Sequence, residues 1–136
     1  MLQVLVDADN LHRARLNALL LALPEDAVIT AAGSPRILDA VAWPDGTTLM
    51  PRTGWQRADL ELAGAYVPDG GPLVLATGDG DFAQLGRRHA GHVLVVSDAP
   101  SGHLRAIGTV LDPVHDGPDA VRVWIRGARD APRSLD

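Results

Sequence analysis

Two apolar runs that each end abruptly in acidic residues constrain this chain's fold more than any other feature. Leu73–Ala76 passes straight into Thr77-Gly78-Asp79-Gly80-Asp81-Phe82, and Val4-Leu5-Val6 passes into Asp7-Ala8-Asp9-Asn10. A short run with no polar member fits a strand covered on both faces, as strands of parallel sheets are. Gly, Asp and Asn then mark where the strand stops. Ligands of open α/β sheets bind beyond the carboxyl ends of strands, where the strand order reverses. If these two strands are neighbours at that point, Asp7 and Asn10 meet Asp79 and Asp81.

The rest of the chain reads as alternating strands and helices. Residues 11–23 form a helical pattern, with Leu11, Ala14, Ala18 and Leu21 at helical spacing and Pro24 as its stop. A second strand is expected over residues 27–32 and a short helix over 36–42. After the turn Pro44-Asp45-Gly46 comes a third strand, over 47–50. Residues 56–66 form a helix with Leu60, Ala63 and Val67 on one side. Residues 82–89 form another, with Asp81 placed to cap it. Residues 92–96 are a buried strand and 101–107 a short helix. The alternation of Val121-Arg122-Val123-Trp124-Ile125 reads as an edge strand. Such an order implies an α/β fold with a mainly parallel sheet and right-handed crossovers. The expected organisation is one domain over residues 1–126, with a loosely ordered tail over 127–136.

Composition narrows the class of function. The 136 residues suffice for one core, and 46% hydrophobic with 21% charged residues is ordinary for a globular protein. The longest apolar stretch, residues 16–23, is too short to span a bilayer and is read as a core helix. With no cysteine, disulfides and thiolate metal sites are excluded, which fits a cytoplasmic protein. A net charge of −5 argues against a general nucleic-acid coat protein, but not against a nuclease whose own site is acidic. Every basic side chain apart from histidine is arginine; the chain has no lysine.

The acidic residues carry the chemistry. Asp59 and Glu61 stand on the helix before the second acidic strand. Residues two apart on a helix face different ways, so one of them aims at the cluster, and Asp59 is the better candidate. Two unit charges about 4 Å apart cost roughly 4 kcal/mol at an effective dielectric near 20, so such a cluster needs a counter-ion. Mg²⁺ or Mn²⁺, which prefer oxygen ligands, would supply it through Asp7, Asp59, Asp79 and Asp81. A metal held by carboxylates activates water and stabilises charge on a phosphoryl group, so phosphodiester hydrolysis is the natural reaction. Asn10, Arg13, Arg52 and Arg57 are the candidates for holding the substrate, and Trp55 could stack on a base.

These residues also resemble a known family. Val4-Leu5-Val6-Asp7-Ala8-Asp9-Asn10-Leu11, then Arg57-Ala58-Asp59-Leu60, then Thr77-Gly78-Asp79-Gly80-Asp81-Phe82, then Gly91-His92-Val93-Leu94-Val95-Val96-Ser97 are similar to the NYN domain family of PIN-like ribonucleases. The resemblance spans roughly residues 2–107. It implies a three-layer α/β/α fold and an acidic pocket for Mg²⁺ or Mn²⁺. It also implies metal-dependent cleavage of RNA, with Asp7, Asp59, Asp79 and Asp81 at the acidic positions and Asn10 as the polar partner. Arg57-Ala58 departs from the Lys-Gly type of pair common before the helical Asp, and Asp9 stands where a small or neutral residue is usual.

Other readings remain open at this level. The same fold could serve as a catalytically inactive module that binds RNA or protein. A small stand-alone PIN-like domain could also be the toxin of a toxin–antitoxin pair, with an antitoxin-like partner. A homodimer is a further possibility for this fold. Asp7-x-Asp9 after a strand also resembles the nucleophile and acid pair of haloacid-dehalogenase-like phosphatases. Those enzymes use a lysine, which this chain lacks.

Overall fold

The computed structural model describes residues 1–52 and 58–131. Its centre is a six-stranded, all-parallel sheet in the order β3-β2-β1-β4-β5-β6. The strands are β1 (Gln3–Asp7), β2 (Val28–Gly33), β3 (Thr48–Pro51), β4 (Leu73–Ala76), β5 (Val93–Val96) and β6 (Thr109–Leu111). The helices are α1 (Arg13–Ala22), α2 (Pro35–Asp39), α3 (Ala58–Ala65), α4 (Ala83–Arg88), α5 (Gly102–Arg105) and α6 (Pro118–Asp130). The chain builds outward from β1 to β3, then returns to β4 and builds outward the other way. β1 and β4 are therefore neighbours at the point where the order reverses.

Side-chain alternation along the strands feeds two cores. Val4 and Val6 of β1, with Val74 and Ala76 of β4, pack beneath α1, α2 and α6. Leu5 of β1, with Leu73 and Leu75 of β4, packs beneath α3, α4 and α5. Period-two alternation puts Asp7 and Thr77 on this second face as well.

Three helices differ from the sequence expectation. In α1 the buried side chains are Leu16, Leu19 and Ala22, and Leu21 is 71% exposed. In α3 the buried residues are Ala58 and Leu62, whereas Leu60 and Val67 are 66% and 48% exposed. Both helices carry apolar residues around much of their circumference, so spacing alone does not choose the buried face. In α3 the chosen phase lets Tyr66 reach the buried His89: Tyr66 OH donates to Nδ1 at 2.7 Å, and Nε2–H donates to Gly71 O at 2.6 Å. A carbonyl only accepts, which fixes this tautomer.

The third difference is at the carboxyl end. The expected edge strand over 121–125 is part of α6, which buries Val121, Ile125 and Ala128 at i, i+4 and i+7. Gly117, at φ +88°, turns the chain, and Pro118 opens the helix. The helix runs past Gly127 to Asp130, into the segment expected to be a loose tail. The edge position belongs instead to β6. No described helix is long and apolar enough to cross a membrane.

Candidate functional site

Asp7 ends β1 and is 1% exposed. Both hydrogen bonds to it go to one oxygen. Thr77 Oγ1 donates to Oδ2 at 3.1 Å, and Asn10 Nδ2 donates to the same atom. Oδ1 is buried and has no hydrogen-bond partner among the described residues. Burial raises the pKa of this carboxyl above its ordinary value; the bonds from Asn10 and Thr77 and the charge of Arg52 oppose the rise, and Asp9 adds to it. An ionised carboxylate with one oxygen clamped and the other bare is an arrangement that a cation would complete.

The loop after β4 is linked to this carboxylate through Thr77, which the sequence reading left out of the site. Thr77 Oγ1 accepts from Asp79 N at 3.1 Å while it donates to Asp7. Asp79 Oδ1 in turn accepts from Asp81 N at 3.0 Å and so caps the 3-10 turn Gly80–Phe82. The cap is therefore Asp79, not Asp81 as expected, and Asp81 lies exposed in the turn that follows. Two glycines let this loop pack against the next one. A Cβ on Gly80 would stand 2.8 Å from Ser101 Oγ, and one on Gly78 would stand 3.1 Å from Ser97 Oγ.

Asp59 is half-buried in the first turn of α3. It shares the helix flank of Tyr66, seven residues on, which reaches across to His89 at the end of α4. Asp59 therefore lies on the α4 side of α3, the side of the β4 loop. Glu61 is on the opposite flank, and its Oε2 is buried with no hydrogen-bond partner among the described residues. Among the described residues, no three or more His, Asp or Glu side chains form a group placed to hold a metal ion. Asp7 and Asp79 are linked through Thr77 at the β1–β4 boundary, and Asp81 follows in the turn that Asp79 caps.

The substrate candidates divide. Asn10 is spent on Asp7. Arg13 is exposed at the start of α1, and His12 caps that helix through Nδ1, which accepts from Ala14 N at 3.2 Å. Arg52 pairs with Asp9, whose carboxylate also accepts from Ser34 N at 3.0 Å. Asp9 is therefore engaged, not free as the acid of a phosphatase pair would need to be. Arg57 and Trp55 lie outside the described residues.

On the other side of the crevice, Arg15 of α1 makes two bonds to Asp112, at 2.8 and 3.0 Å, and approaches Asp98 at 3.7 Å. This pair joins α1 to the end of β6 and has no short-range sequence signal. No family model, no curated protein and no solved structure matches the chain, so the chemistry of the site rests on its own residues.

Proposed function

We propose that the chain is a metal-dependent ribonuclease of the NYN, PIN-like kind, hydrolysing phosphodiester bonds in single-stranded RNA. One observation carries the reading: a carboxylate that is 1% exposed, at the strand-order reversal, with an oxygen that nothing among the described residues satisfies. Isolated charge is not buried in this way without a partner. Mg²⁺ is usually held by one or two carboxylates, waters and substrate phosphates instead of a closed protein cage. Asp7, with Asp79 tied to it through Thr77, fits that mode of binding; Asp59 and the exposed Asp81 are further candidates by sequence position.

When bound, the ion would activate water and stabilise charge on the phosphoryl oxygens. The chain's own residues do the positioning. Asn10 and Thr77 hold Asp7 Oδ2, which fixes the direction of Oδ1. Thr77 also ties the Asp79 backbone to Asp7, so the two loops keep one geometry. Arg13 and Arg57 remain candidates for phosphate contact by sequence position.

The test is cleavage of a mixed single-stranded RNA pool by purified protein with Mn²⁺, with chelator, and with Mn²⁺ restored. The reading expects cleavage that chelation stops and Mn²⁺ restores, and that Asp7→Asn abolishes. RNA binding without cleavage under any of these conditions favours the inactive binding module. A phospho-Asp7 adduct would point to the phosphatase.

A further inference from the structure

Asp9 is directed away from the β1–β4 crevice, towards the ends of β2 and β3. Its two oxygens accept from Ser34 N at 3.0 and 3.2 Å, and Oδ1 accepts from Ser34 Oγ at 3.1 Å. Oδ2 pairs with Arg52 Nη2. Asp9 follows β1, Ser34 follows β2 and Arg52 follows β3, so one carboxylate ties the ends of three adjacent strands. Gly33 makes room for it: a Cβ there would stand 3.0 Å from Ala8 Cβ and 3.3 Å from Asp9 Oδ1.

The Asp9 and Arg52 side chains are 24% and 21% exposed. A pair partly withdrawn from water is screened less than one on the open surface. The same guanidinium stands close enough to Asp7 for its charge to act on that carboxyl. Arg52 is thus a cation fixed beside the bare carboxylate by a second carboxylate.

Charge along the sheet edge is uneven. On the β5–β6 side Arg15 is paired with Asp112, Asp98 is 60% exposed, and Asp116 adds a further carboxylate through its bond to Asp112 N, so three carboxylates accompany one arginine. A polyanion is repelled there. On the β2–β3 side Arg52 is likewise paired, with Asp9, and Arg36 of α2 is exposed.

We propose that Asp9 is a positioning residue that presents Arg52 to a substrate phosphate, so that a single RNA strand crosses the sheet edge on its β2–β3 half. The proposal rests on the ribonuclease reading above. A guanidinium has several donors in a rigid plane, so it can hold a carboxylate along one edge and meet a phosphate oxygen with another. Asp9 is not a metal ligand in this arrangement, because both its oxygens are engaged.

The test is a double-mutant cycle on binding of a fluorescent single-stranded oligoribonucleotide. It is measured over a range of salt, with Ca²⁺ replacing Mn²⁺ so that the strand stays intact. Asp9→Ala and Arg52→Ala should each weaken binding about tenfold, the value of one charge-assisted contact. Each should reduce the slope of log affinity against log salt by about 0.7. The double variant should bind no more weakly than Arg52→Ala alone. On this proposal the loss of the fixed guanidinium geometry outweighs the gain of one net positive charge beside it. Calorimetric Mn²⁺ affinity should be unchanged in Asp9→Ala, and thermal melting reports its folding. If it does not fold, Asp9→Asn, which keeps an acceptor for Ser34, is used and should weaken binding with the same dependence on Arg52.

Several results overturn the proposal: RNA binding by the Asp9 variant equal to or tighter than wild type, an equal loss in the Arg52→Ala background, or lost Mn²⁺ binding. If wild type binds RNA and the Asp9 variant matches it, only this role for Asp9 falls. If wild type binds no RNA at all, the ribonuclease reading falls with it.

Discussion

Thr77 Oγ1 donates a 3.1 Å hydrogen bond to Asp7 Oδ2 across the boundary between β1 and β4. The bond joins the two strands whose loops face the crevice, and the same hydroxyl accepts from Asp79 N. Thr77 is 1% exposed, so its own hydroxyl cannot turn to water instead. Thr77→Val keeps the shape and removes both bonds. It should destabilise the protein by about 1–3 kcal/mol, as expected when a buried donor and acceptor are left unmet. Thr77→Ser should restore most of the loss; urea unfolding of the two variants checks this.

Asp7→Asn should raise the melting temperature of the metal-free protein at neutral pH while abolishing cleavage. Burial raises the pKa of Asp7 above 3.8, so the folded state holds a proton that the unfolded state has released. Stability therefore falls as pH rises from about the unfolded value through the raised folded value, and stays reduced above it. The asparagine variant lacks that contribution. Melting temperatures followed from acid to neutral pH should converge for the two proteins at the acid end and separate above that window. Equal melting temperatures at neutral pH would show that the buried carboxylate carries no such cost.

The Arg15–Asp112 pair carries the opposite sign. Its bonds from Arg15 hold the Asp112 carboxyl below 3.8, so the stability it contributes is full above that value and is lost as pH falls through the lowered one. Asp112→Ala should cost about 2 kcal/mol at neutral pH, the scale of hydrogen bonds to a charged group. Since Asp98 stands 3.7 Å from Arg15, it offers the guanidinium only partial replacement. Chemical denaturation at neutral and acid pH should show the difference between wild type and variant shrinking as the pH drops.

Gly80→Ala should destabilise the β4 loop and reduce cleavage together, because its Cβ would stand 2.8 Å from Ser101 Oγ. Ser101 cannot simply rotate away, since its Oγ caps α5 by accepting from Leu104 N at 3.3 Å. In the Gly80→Ala background, Ser101→Ala should recover part of both losses. Recovery of neither, by melting and by turnover, would mean that the glycine matters for another reason.

These residues were legible to different degrees. Asp7, Asn10 and Asp79 stood out because polar residues ended runs that had no polar member, and the all-parallel sheet places those ends together. The pairing of Asp9 with Arg52 was not legible, because it depends on which strands are neighbours, and strand order is not written in local spacing. Arg15 and Asp112 are 97 residues apart and meet only because α1 crosses towards β6. The buried faces of α1 and α3 were misassigned because apolar residues lie on more than one side of each. The run Val121–Ile125 satisfies both a period of two and a period of 3.6, and the Gly117-Pro118 start signal is what separates them.

The most direct measurement is calorimetric titration of Mn²⁺ into the metal-free wild-type protein and into Asp7→Asn at neutral pH. The bare oxygen of Asp7 predicts saturable binding by the wild type that Asp7→Asn loses while remaining folded. No binding by the wild type, or equal binding by both, would contradict it.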